Sequence, residues 1–326
     1  MDRYKSVCLL LSFSAVIVGC RREELPIKPH ETGAVTASTI DMDPLYKYQV
    51  YFNLRTNAEV GRNLKTVWDL GFETSADGFH VVVNSAASVF AMATSKTDFA
   101  QVGMPDTAGF AANRKWDSYT GDLDSTAFGD WRTAKPVYII DRGFDEKGVA
   151  RGWSKVQMLS VSPTGYTVRL AALDGTNEHT VEITKDSAYN LCFLSLTSGL
   201  QVMVEPPKAT WDIVLSQYTY IFYDMDPPVP YLVTGCLLNR FATQAYEDTA
   251  GTFEATTLAS VHAELLSRSV TAIGYDWKVF NGSKYTVRAN NYIIRDSKGL
   301  FYKFHFTGFY NAAGVKGNPR WEYQQL

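Results

Sequence analysis

The chain has 326 residues, 46% of them hydrophobic, which is enough to build a core and excludes an intrinsically disordered protein. Its 31 Lys and Arg against 34 Asp and Glu give a net charge of −3 without a run of like charges, which argues against nucleic-acid binding. The 7 Trp, 19 Tyr and 18 Phe, together with abundant Val, Ile and Thr, predict an all-β protein, mainly antiparallel and sandwich-like.

The amino terminus, residues 1–19, resembles the signal peptide of a bacterial lipoprotein. Two basic residues precede an apolar run from Ser6 to Val18, which is too short to span a membrane and typical of a signal-peptide core. The run ends in the letters IVGC, which resemble a lipobox, so Cys20 is expected to be the lipidated first residue of the mature protein. An ordinary secretory signal with an incidental cysteine is the alternative.

Residues 20–45 are predicted to form a lipidated, flexible tether. The segment is polar, contains Pro26, Pro29 and Gly33, and shows no periodicity. The charged residues 21–24 resemble export signals that send some lipoproteins to the outer face of the cell. We therefore expect an outer-membrane lipoprotein, on the periplasmic or the cell-surface side.

Alternation of apolar and polar residues predicts β-strands through most of the remaining chain, for example over 79–84, 167–170 and 302–307. Asp-Gly and Asn-Gly turn dipeptides separate such segments and predict antiparallel hairpins. One stretch differs, because apolar residues recur at helical spacing from Leu258 to Leu266 after two threonines that could cap a helix. A single short amphipathic helix is predicted near residues 257–267.

The two halves of the body repeat four elements in the same order, which predicts two similar β-units at residues 46–175 and 180–326. An aromatic strand, a Trp-Asp pair, a Tyr-Ile-Ile strand and a lysine strand follow one another in each half. In the first half these are Tyr48–Leu54, Trp68–Leu70, Tyr138–Asp141 and Lys155–Gln157. In the second half they are Tyr189–Leu196, Trp211–Val214, Tyr292–Asp296 and Lys303–His305.

These elements resemble the HmuY-like lipoproteins of Gram-negative anaerobic bacteria. The resemblance covers residues 189–326 well and 48–161 less well, and it is closest in Trp211–Tyr218, Ile273–Lys278, Tyr292–Asp296 and Phe304–Tyr310. It implies a lipid-anchored β-protein that captures haem or a related porphyrin and passes it to an outer-membrane receptor. The alternative is a structural or interaction lipoprotein of the same fold without a haem site.

The resemblance also implies two axial His or Met side chains, one of them shortly before the late aromatic strand. The corresponding stretch, Lys278 to Tyr292, contains neither residue type, and Asp124 occupies the comparable spacing in the amino half. The remaining candidate haem ligands are Met92, Met104, His80 and His262. His262 also lies on the apolar face of the predicted helix, where a role in the core is the favoured interpretation.

Common catalytic signatures are absent from the sequence, including phosphate-binding loops, His-Glu-x-x-His, Cys-x-x-Cys and Gly-x-Ser-x-Gly, so the protein is predicted not to be an enzyme. Asp122, Asp124 and Asp130 could hold calcium but lack the pattern of a helix-loop-helix site, which favours a solvated turn. Cys192 and Cys236 either form a bridge or act as small buried hydrophobes.

The two Trp-Asp pairs are interpreted as structural. A tryptophan that opens a strand fills the core of a β-sandwich, and the aspartate after it accepts backbone amide hydrogens at the turn. Neither duty requires a substrate.

Overall fold

Antiparallel β-sheets make up most of the fold over residues 32–326, the part of the chain that the computed structural model describes. The strands are β1 (Thr36–Thr39), β2 (Tyr48–Asn53), β3 (Ala58–Leu64), β4 (Leu70–Glu73), β5 (Val81–Val83), β6 (Phe90–Ala93), β7 (Val137–Asp141), β8 (Trp153–Ser162), β9 (Gly165–Ala172), β10 (His179–Thr184), β11 (Leu191–Ser195), β12 (Leu200–Val202), β13 (Ile213–Phe222), β14 (Val229–Leu238), β15 (Gln244–Asp248), β16 (Lys278–Phe280), β17 (Tyr285–Val287), β18 (Asn291–Arg295), β19 (Phe301–Tyr310) and β20 (Lys316–Gln325). The helical segments are α1 (Phe110–Asn113) and 3₁₀ turns at Ser85–Ala87, Phe99–Gln101, Met104–Gly109, Leu258–Ser260 and Ala263–Leu265. The predicted fold class, all-β and mainly antiparallel, is confirmed.

Four sheets form two β-sandwiches. In the first sandwich, the sheet β10-β9-β8-β7-β6 packs against the sheet β12-β11-β4-β5, and Leu70, Val156 and Leu194 lie in their shared core. In the second sandwich, the sheet β1-β20-β19-β18-β15 packs against the sheet β14-β13-β2-β3, around a core that includes Phe304 and Trp321. The ribbon β16-β17 lies outside these four sheets.

Strands from the two halves of the sequence are exchanged between the sandwiches. β2, from the first half, pairs with β13, so that Phe52 lies opposite Ile213 in the second sandwich. β11, from the second half, pairs with β4, so that Leu194 lies opposite Leu70 in the first sandwich. Neither sequence unit, 46–175 or 180–326, supplies a complete sandwich by itself. The division of the chain into these two units therefore remains a prediction from the sequence repeat.

The two Trp-Asp pairs occupy matching positions in the two sandwiches. The side-chain amide of Asn84 donates to the carbonyl oxygen of Trp68 at 2.8 Å, and that of Asn239 donates to the carbonyl oxygen of Trp211 at 2.7 Å. Each asparagine Oδ1 also accepts the amide two residues later, which shapes the same turn in both sandwiches. The same turn geometry thus recurs in both sandwiches.

Both aspartates of the pairs accept a backbone amide across the strand exchange. Oδ2 of Asp69 accepts from Leu196 N at 2.7 Å, and Oδ2 of Asp212 accepts from Leu54 N at 2.8 Å. Both carboxylates are buried. Each aspartate accepts a backbone amide as predicted, but the donor lies 127 or 158 residues away in the sequence and not at the local turn.

The predicted tether, residues 20–45, extends too far toward the carboxyl terminus. β1 pairs with β20, Gly33 N donates to the carbonyl of Gln325, and Ile40 and Met42 are buried in the second core. Residues 32–45 thus belong to the fold, because they complete a sheet edge that the polar composition concealed. The signal peptide, Cys20 and the start of the tether lie outside the described residues.

The amphipathic helix predicted at 257–267 is two 3₁₀ turns instead. Tyr246 Oη accepts the amide of His262 at 2.9 Å, and Ser267 forms a bridge with Ala245, so contacts with β15 take up donors that a helix would need. Leu265 is exposed, so the apolar stripe does not form one buried face. The single α-helix of the described residues is α1.

Cys192 and Cys236 are free and buried, in agreement with the prediction of two small hydrophobes. Cys192 lies in the first core and Cys236 in the second. Within residues 32–326, no helix combines the length and the apolar character that spanning a bilayer requires.

Candidate functional site

The four-stranded sheets of the two sandwiches face each other across a cavity of about 150 Å³. The second sandwich contributes Tyr51 and Val214 to its walls, and the first contributes Val82 and Phe193. These strands carry apolar residues on both faces, because one face fills a sandwich core and the other faces the cavity. The strand exchange thus creates a junction that neither sequence half forms alone.

Asp117 brings a carboxylate to this cavity from the loop between α1 and β7. Its two oxygens accept backbone hydrogen bonds from Val83 N at 2.7 Å and Ala127 N at 2.8 Å. Burial raises the pKa of Asp117 to about 7, because the hydrogen bonds and the charge of Arg240 oppose this shift only in part. The carboxyl is therefore partly protonated near neutral pH.

Glu205 brings a second carboxylate from the segment after β12. One oxygen accepts the backbone amides of Asn190 at 2.5 Å and Leu191 at 2.9 Å. Burial raises the pKa of Glu205, while these amides lower it. Glu205 thus fixes the chain at the start of β11.

Arg240 places a guanidinium at the same cavity, directly after β14. Its one hydrogen bond within the described residues runs from Nη1 to the carbonyl oxygen of Gly121 at 3.4 Å. Burial lowers the pKa of Arg240, and the charges of Glu205 and Asp117 raise it. Most of its five N–H donors therefore lack a protein acceptor.

Aromatic side chains continue from the cavity to the surface along the β13–β14 hairpin. We call this the aromatic surface; its members are Tyr119, Tyr220, Phe222, Tyr223, Tyr231 and Tyr275. Tyr119 lines the cavity, and its ring centroid lies 4.4 Å from that of Tyr220. Tyr220 and Phe222 share a strand face at i and i+2, and Tyr231 lies opposite Tyr220 on β14.

The outer part of the aromatic surface is open to solvent. Tyr223 and Tyr231 are 59% and 60% exposed, and Met225, in the loop between β13 and β14, is 50% exposed. Tyr220 contacts Tyr275 at 5.0 Å between ring centroids. A contiguous exposed patch of large apolar side chains is typical of a binding surface.

The four candidate haem ligands from the sequence do not meet at one cavity of the described residues. Met92 is buried on the outer face of its sheet with Phe99, whereas Met104 is exposed at the start of a 3₁₀ turn. Nδ1 of His80 lies 2.5 Å from Oε2 of Glu73, so this ring is already engaged.

His262, the fourth candidate, is exposed and lies in a different region from the aromatic surface. Its Nδ1 is 2.9 Å from Oε1 of Glu264, and it lines a separate cavity of about 150 Å³ with Tyr246. The predicted core role of His262 is therefore wrong, because the helix that would have buried it does not form.

The acidic residues Asp122, Asp124 and Asp130 do not form a metal cluster. Asp130 forms a bidentate ion pair with Arg132, at 2.6 and 2.8 Å, and this bond holds the pKa of Asp130 at about 2. Over residues 32–326, no group of three or more His, Cys, Asp or Glu side chains could hold a metal ion. All three aspartates are exposed, as the predicted solvated turn requires.

The cavity residues Asp117, Glu205 and Arg240 and the aromatic surface were not found by sequence reasoning. Asp117, Glu205 and Arg240 are lone charged residues without a motif, and they meet only through the strand exchange. Tyr220 and Phe222 did carry a signal, since aromatic residues occupy every second position from Tyr218 to Phe222.

Comparison with known proteins gives a family and several solved structures. Residues 45–323 match the HmuY protein family. The solved structures include an apo HmuY analogue from Tannerella forsythia (12% identity, 92% of this chain and 99% of that one, TM-score 0.27) and apo PinO from Porphyromonas gingivitis (11%, 90% and 97%, 0.26). A protein from Bacteroides vulgatus, described as HmuY-like and haem-binding, shares 15% identity over 51% of this chain and 95% of its own, with a TM-score of 0.23. No curated protein matches the chain.

Proposed function

The chain belongs to the HmuY family, and from this membership we propose a membrane-anchored binding lipoprotein that captures haem or a related porphyrin for an outer-membrane receptor. The family consists of binding proteins rather than enzymes. The family match over residues 45–323 carries the proposal, because it spans strands of both sandwiches. The described residues add a surface on which a flat, apolar ligand fits.

The aromatic surface fits a porphyrin better than the cavity does. A cavity of about 150 Å³ is smaller than the 300–1,000 Å³ that ordinary ligand pockets provide, so the macrocycle does not enter it. The exposed rings of Tyr223 and Tyr231 offer apolar faces outside the cavity. Removing the faces of a macrocycle from water gains roughly 25 cal/mol per Å².

Met225 is the soft donor that fits an iron-bearing ligand on this surface. It lies two residues from Tyr223 in the same loop and is exposed, whereas Met92 is buried and His80 is bonded to Glu73. A thioether is a known type of axial haem ligand. We propose Met225 in place of the four candidates from the sequence.

The second candidate function is an interaction lipoprotein that has kept the fold without a haem site. One observation favours it, because the stretch from Lys278 to Tyr292 lacks the His or Met that the resemblance implies. The aromatic surface would then bind a protein, since exposed aromatic patches also occur at protein interfaces.

A haem titration of the full chain in detergent separates the two functions. Haem binding predicts a saturable shift of the main absorption band in the parent protein. Tyr223→Ser and Tyr231→Ser should weaken binding, and Met225→Ala should change the band position. Met203→Ala is the matched control, because Met203 is 68% exposed but lies after β12, outside the aromatic surface.

The outcomes are distinct. No saturable change in the parent protein removes the haem function and leaves the interaction lipoprotein. Saturable binding could instead survive Tyr223→Ser, Tyr231→Ser and Met225→Ala. If it is then lost in the Ala variant of Met92, Met104, His80 or His262, the haem site lies at that residue.

A further inference from the structure

We propose that the cavity between the two four-stranded sheets is a second binding site, which takes a small monocarboxylate with an apolar body. The proposal goes beyond porphyrin capture, because it concerns a different ligand class and a part of the molecule that a macrocycle does not enter. It rests on two hydrogen-bond donors, the walls of the cavity and its size.

The first donor is the indole N–H of Trp211. Trp211 lines the cavity and is 4% exposed, yet its Nε1 has no hydrogen-bond partner within the described residues. Buried N–H groups are nearly always paired, because an unpaired one has lost its hydrogen bonds to water without replacing them. An acceptor supplied by a ligand would replace these bonds.

The matching tryptophan shows where the missing acceptor would lie. Trp68 donates from Nε1 to Oε1 of Gln49 at 2.9 Å. Phe52 and Leu194 are equivalent in the two sandwiches, because each pairs with the residue two positions after the tryptophan. Counting back three residues, the residue that matches Gln49 is Leu191, whose side chain has no hydrogen-bond acceptor. Leu191 also lines the cavity, so the acceptor that Trp68 has is missing at the equivalent position near Trp211.

The second donor is the guanidinium of Arg240. It makes one long hydrogen bond, to Gly121, and has no carboxylate within 4.0 Å among the residues described. Guanidinium groups bind carboxylates through two parallel hydrogen bonds. Since both underused groups are donors, the missing partner is an acceptor, and a carboxylate satisfies both.

The two acidic groups of the cavity do not take the place of that ligand. Asp117 and Glu205 each accept two backbone amides, so their oxygens hold the wall in position. Burial raises the pKa of both carboxyls, which reduces the negative charge that an entering anion meets. The third acid on the wall, Asp122, adds to the repulsion of a doubly charged ligand.

The walls and the volume define the rest of the ligand. Val82, Phe193, Val214 and Leu237 supply apolar surface, which fits an aliphatic or aromatic body. A volume of about 150 Å³ admits a molecule of the size of benzoate or phenylpropionate. The ligand class is therefore a monocarboxylate with one small apolar group.

Calorimetric titration of the full chain in detergent, in the absence of haem, tests the site. The probes are acetate, benzoate and 3-phenylpropionate, with benzamide as the uncharged analogue of benzoate. We expect saturable binding of benzoate or 3-phenylpropionate, and no binding of benzamide at the same concentrations. Fluorescence of Trp211 provides a second readout, because it lines the site.

Four variants assign the binding to the two donors. Arg240→Met keeps the aliphatic stem and should weaken binding by about tenfold or more, and Trp211→Phe keeps the ring and should weaken it by about tenfold. Trp321→Phe is the matched control, because its buried N–H also has no partner within the described residues but lies in the second core, away from the cavity. Arg268→Met, at an exposed arginine outside the cavity, controls for net charge.

Two results would overturn the proposal. One is the absence of saturable binding for all three carboxylates. The other is binding that Trp211→Phe and Arg240→Met leave unchanged while thermal unfolding shows both variants folded. Neither result depends on haem, so porphyrin capture stands or falls separately.

Discussion

Trp68 donates its indole N–H to Gln49 at 2.9 Å, across the boundary between the two sandwiches. Trp68 precedes β4 of the first sandwich, whereas Gln49 lies on β2, which the strand exchange places in the second. Gln49 also accepts from Asn63 and donates to Ser216. One buried glutamine thus links the two sandwiches beside the cavity.

Gln49→Leu is expected to lower the free energy of unfolding by about 2–3 kcal/mol, because it leaves the indole N–H of Trp68 without an acceptor and removes one of the two acceptors of Asn63 Nδ2. Urea unfolding measures the change. Gln101→Leu, at an exposed glutamine, is the control and should stay within about 0.5 kcal/mol of the parent. An equal effect of the two substitutions would show that the Gln49 bonds contribute no net stability.

The two aspartates of the Trp-Asp pairs should respond differently to replacement by asparagine. Asp69 lies 3.1 Å from Arg142 and 3.0 Å from Arg151, so Asp69→Asn leaves two guanidinium groups without their partner and should cost about 3–5 kcal/mol. Asp212 forms no such ion pair among the described residues, and burial raises its pKa to about 6. Asp212→Asn should therefore cost about 1 kcal/mol, since an amide oxygen still accepts from Leu54. Thermal unfolding of both variants checks the ranking, and a larger loss for Asp212→Asn would contradict it.

Local patterns predicted much of the fold and little of its assembly. The strands follow from alternation, which acts within a few residues. Asp69 and Asp212 accept backbone amides as expected, but the donors lie across the strand exchange, where no local pattern reports them. The pairing of Phe52 with Ile213 joins residues far apart in the sequence, so no local pattern reports it. The prediction of a helix near 257–267 was wrong for a related reason. Tertiary contacts of this segment with β15 outweigh the helical spacing of its apolar residues.

The candidate site was the least predictable part. Arg240 and Glu205 are single charged residues in connecting segments, where most such residues are simply solvated. They become candidate site residues only because they lie where the two four-stranded sheets meet. Neighbouring residues in the sequence do not reveal that position. The aromatic alternation at Tyr220 and Phe222 could have been followed outward to Met225, which lies only three residues beyond Phe222.

Strand exchange makes a specific prediction for fragments of the chain. Residues 65–204 contain every strand of the first sandwich, β4 to β12, and should fold as a cooperative monomer. Residues 32–175 lack β10 to β12 and should not fold alone, but should form a one-to-one complex with residues 180–326. Size-exclusion chromatography and thermal unfolding distinguish these states. A stable monomer of residues 32–175 would contradict this prediction, because β1 to β3 would then complete a fold with the other strands of that fragment.

The proposed lipid anchor is tested at Cys20, which lies outside the described residues. Cys20→Ala should release the protein from the membrane fraction, because the thioether-linked chains supply the affinity. Cys8→Ala is the matched control, since Cys8 lies in the predicted signal peptide and would be removed with it. Fractionation followed by immunoblotting measures the release. Retention of the Cys20 variant in the membrane at the parent level would exclude the lipobox interpretation.

The cavity carboxyl Asp117 makes stability depend on pH in a definite direction. Burial raises the pKa of Asp117 to about 7, whereas an aspartate in the unfolded chain has a pKa of about 3.9. Between these values the folded protein holds a proton that the unfolded chain has lost, so the contribution of Asp117 to stability falls as pH rises from about 4 to 7.

Comparison with Asp117→Asn isolates this contribution, because Glu205 and Asp212 titrate in both proteins and largely cancel in the difference. The free energy of unfolding of the parent minus that of the variant should decrease between pH 4 and pH 7 and level off above about pH 7. Urea unfolding at four pH values measures it. A difference that stays constant or grows over this window would show that the Asp117 carboxyl is already ionised at pH 4, and that the cavity is more polar than its apolar walls imply.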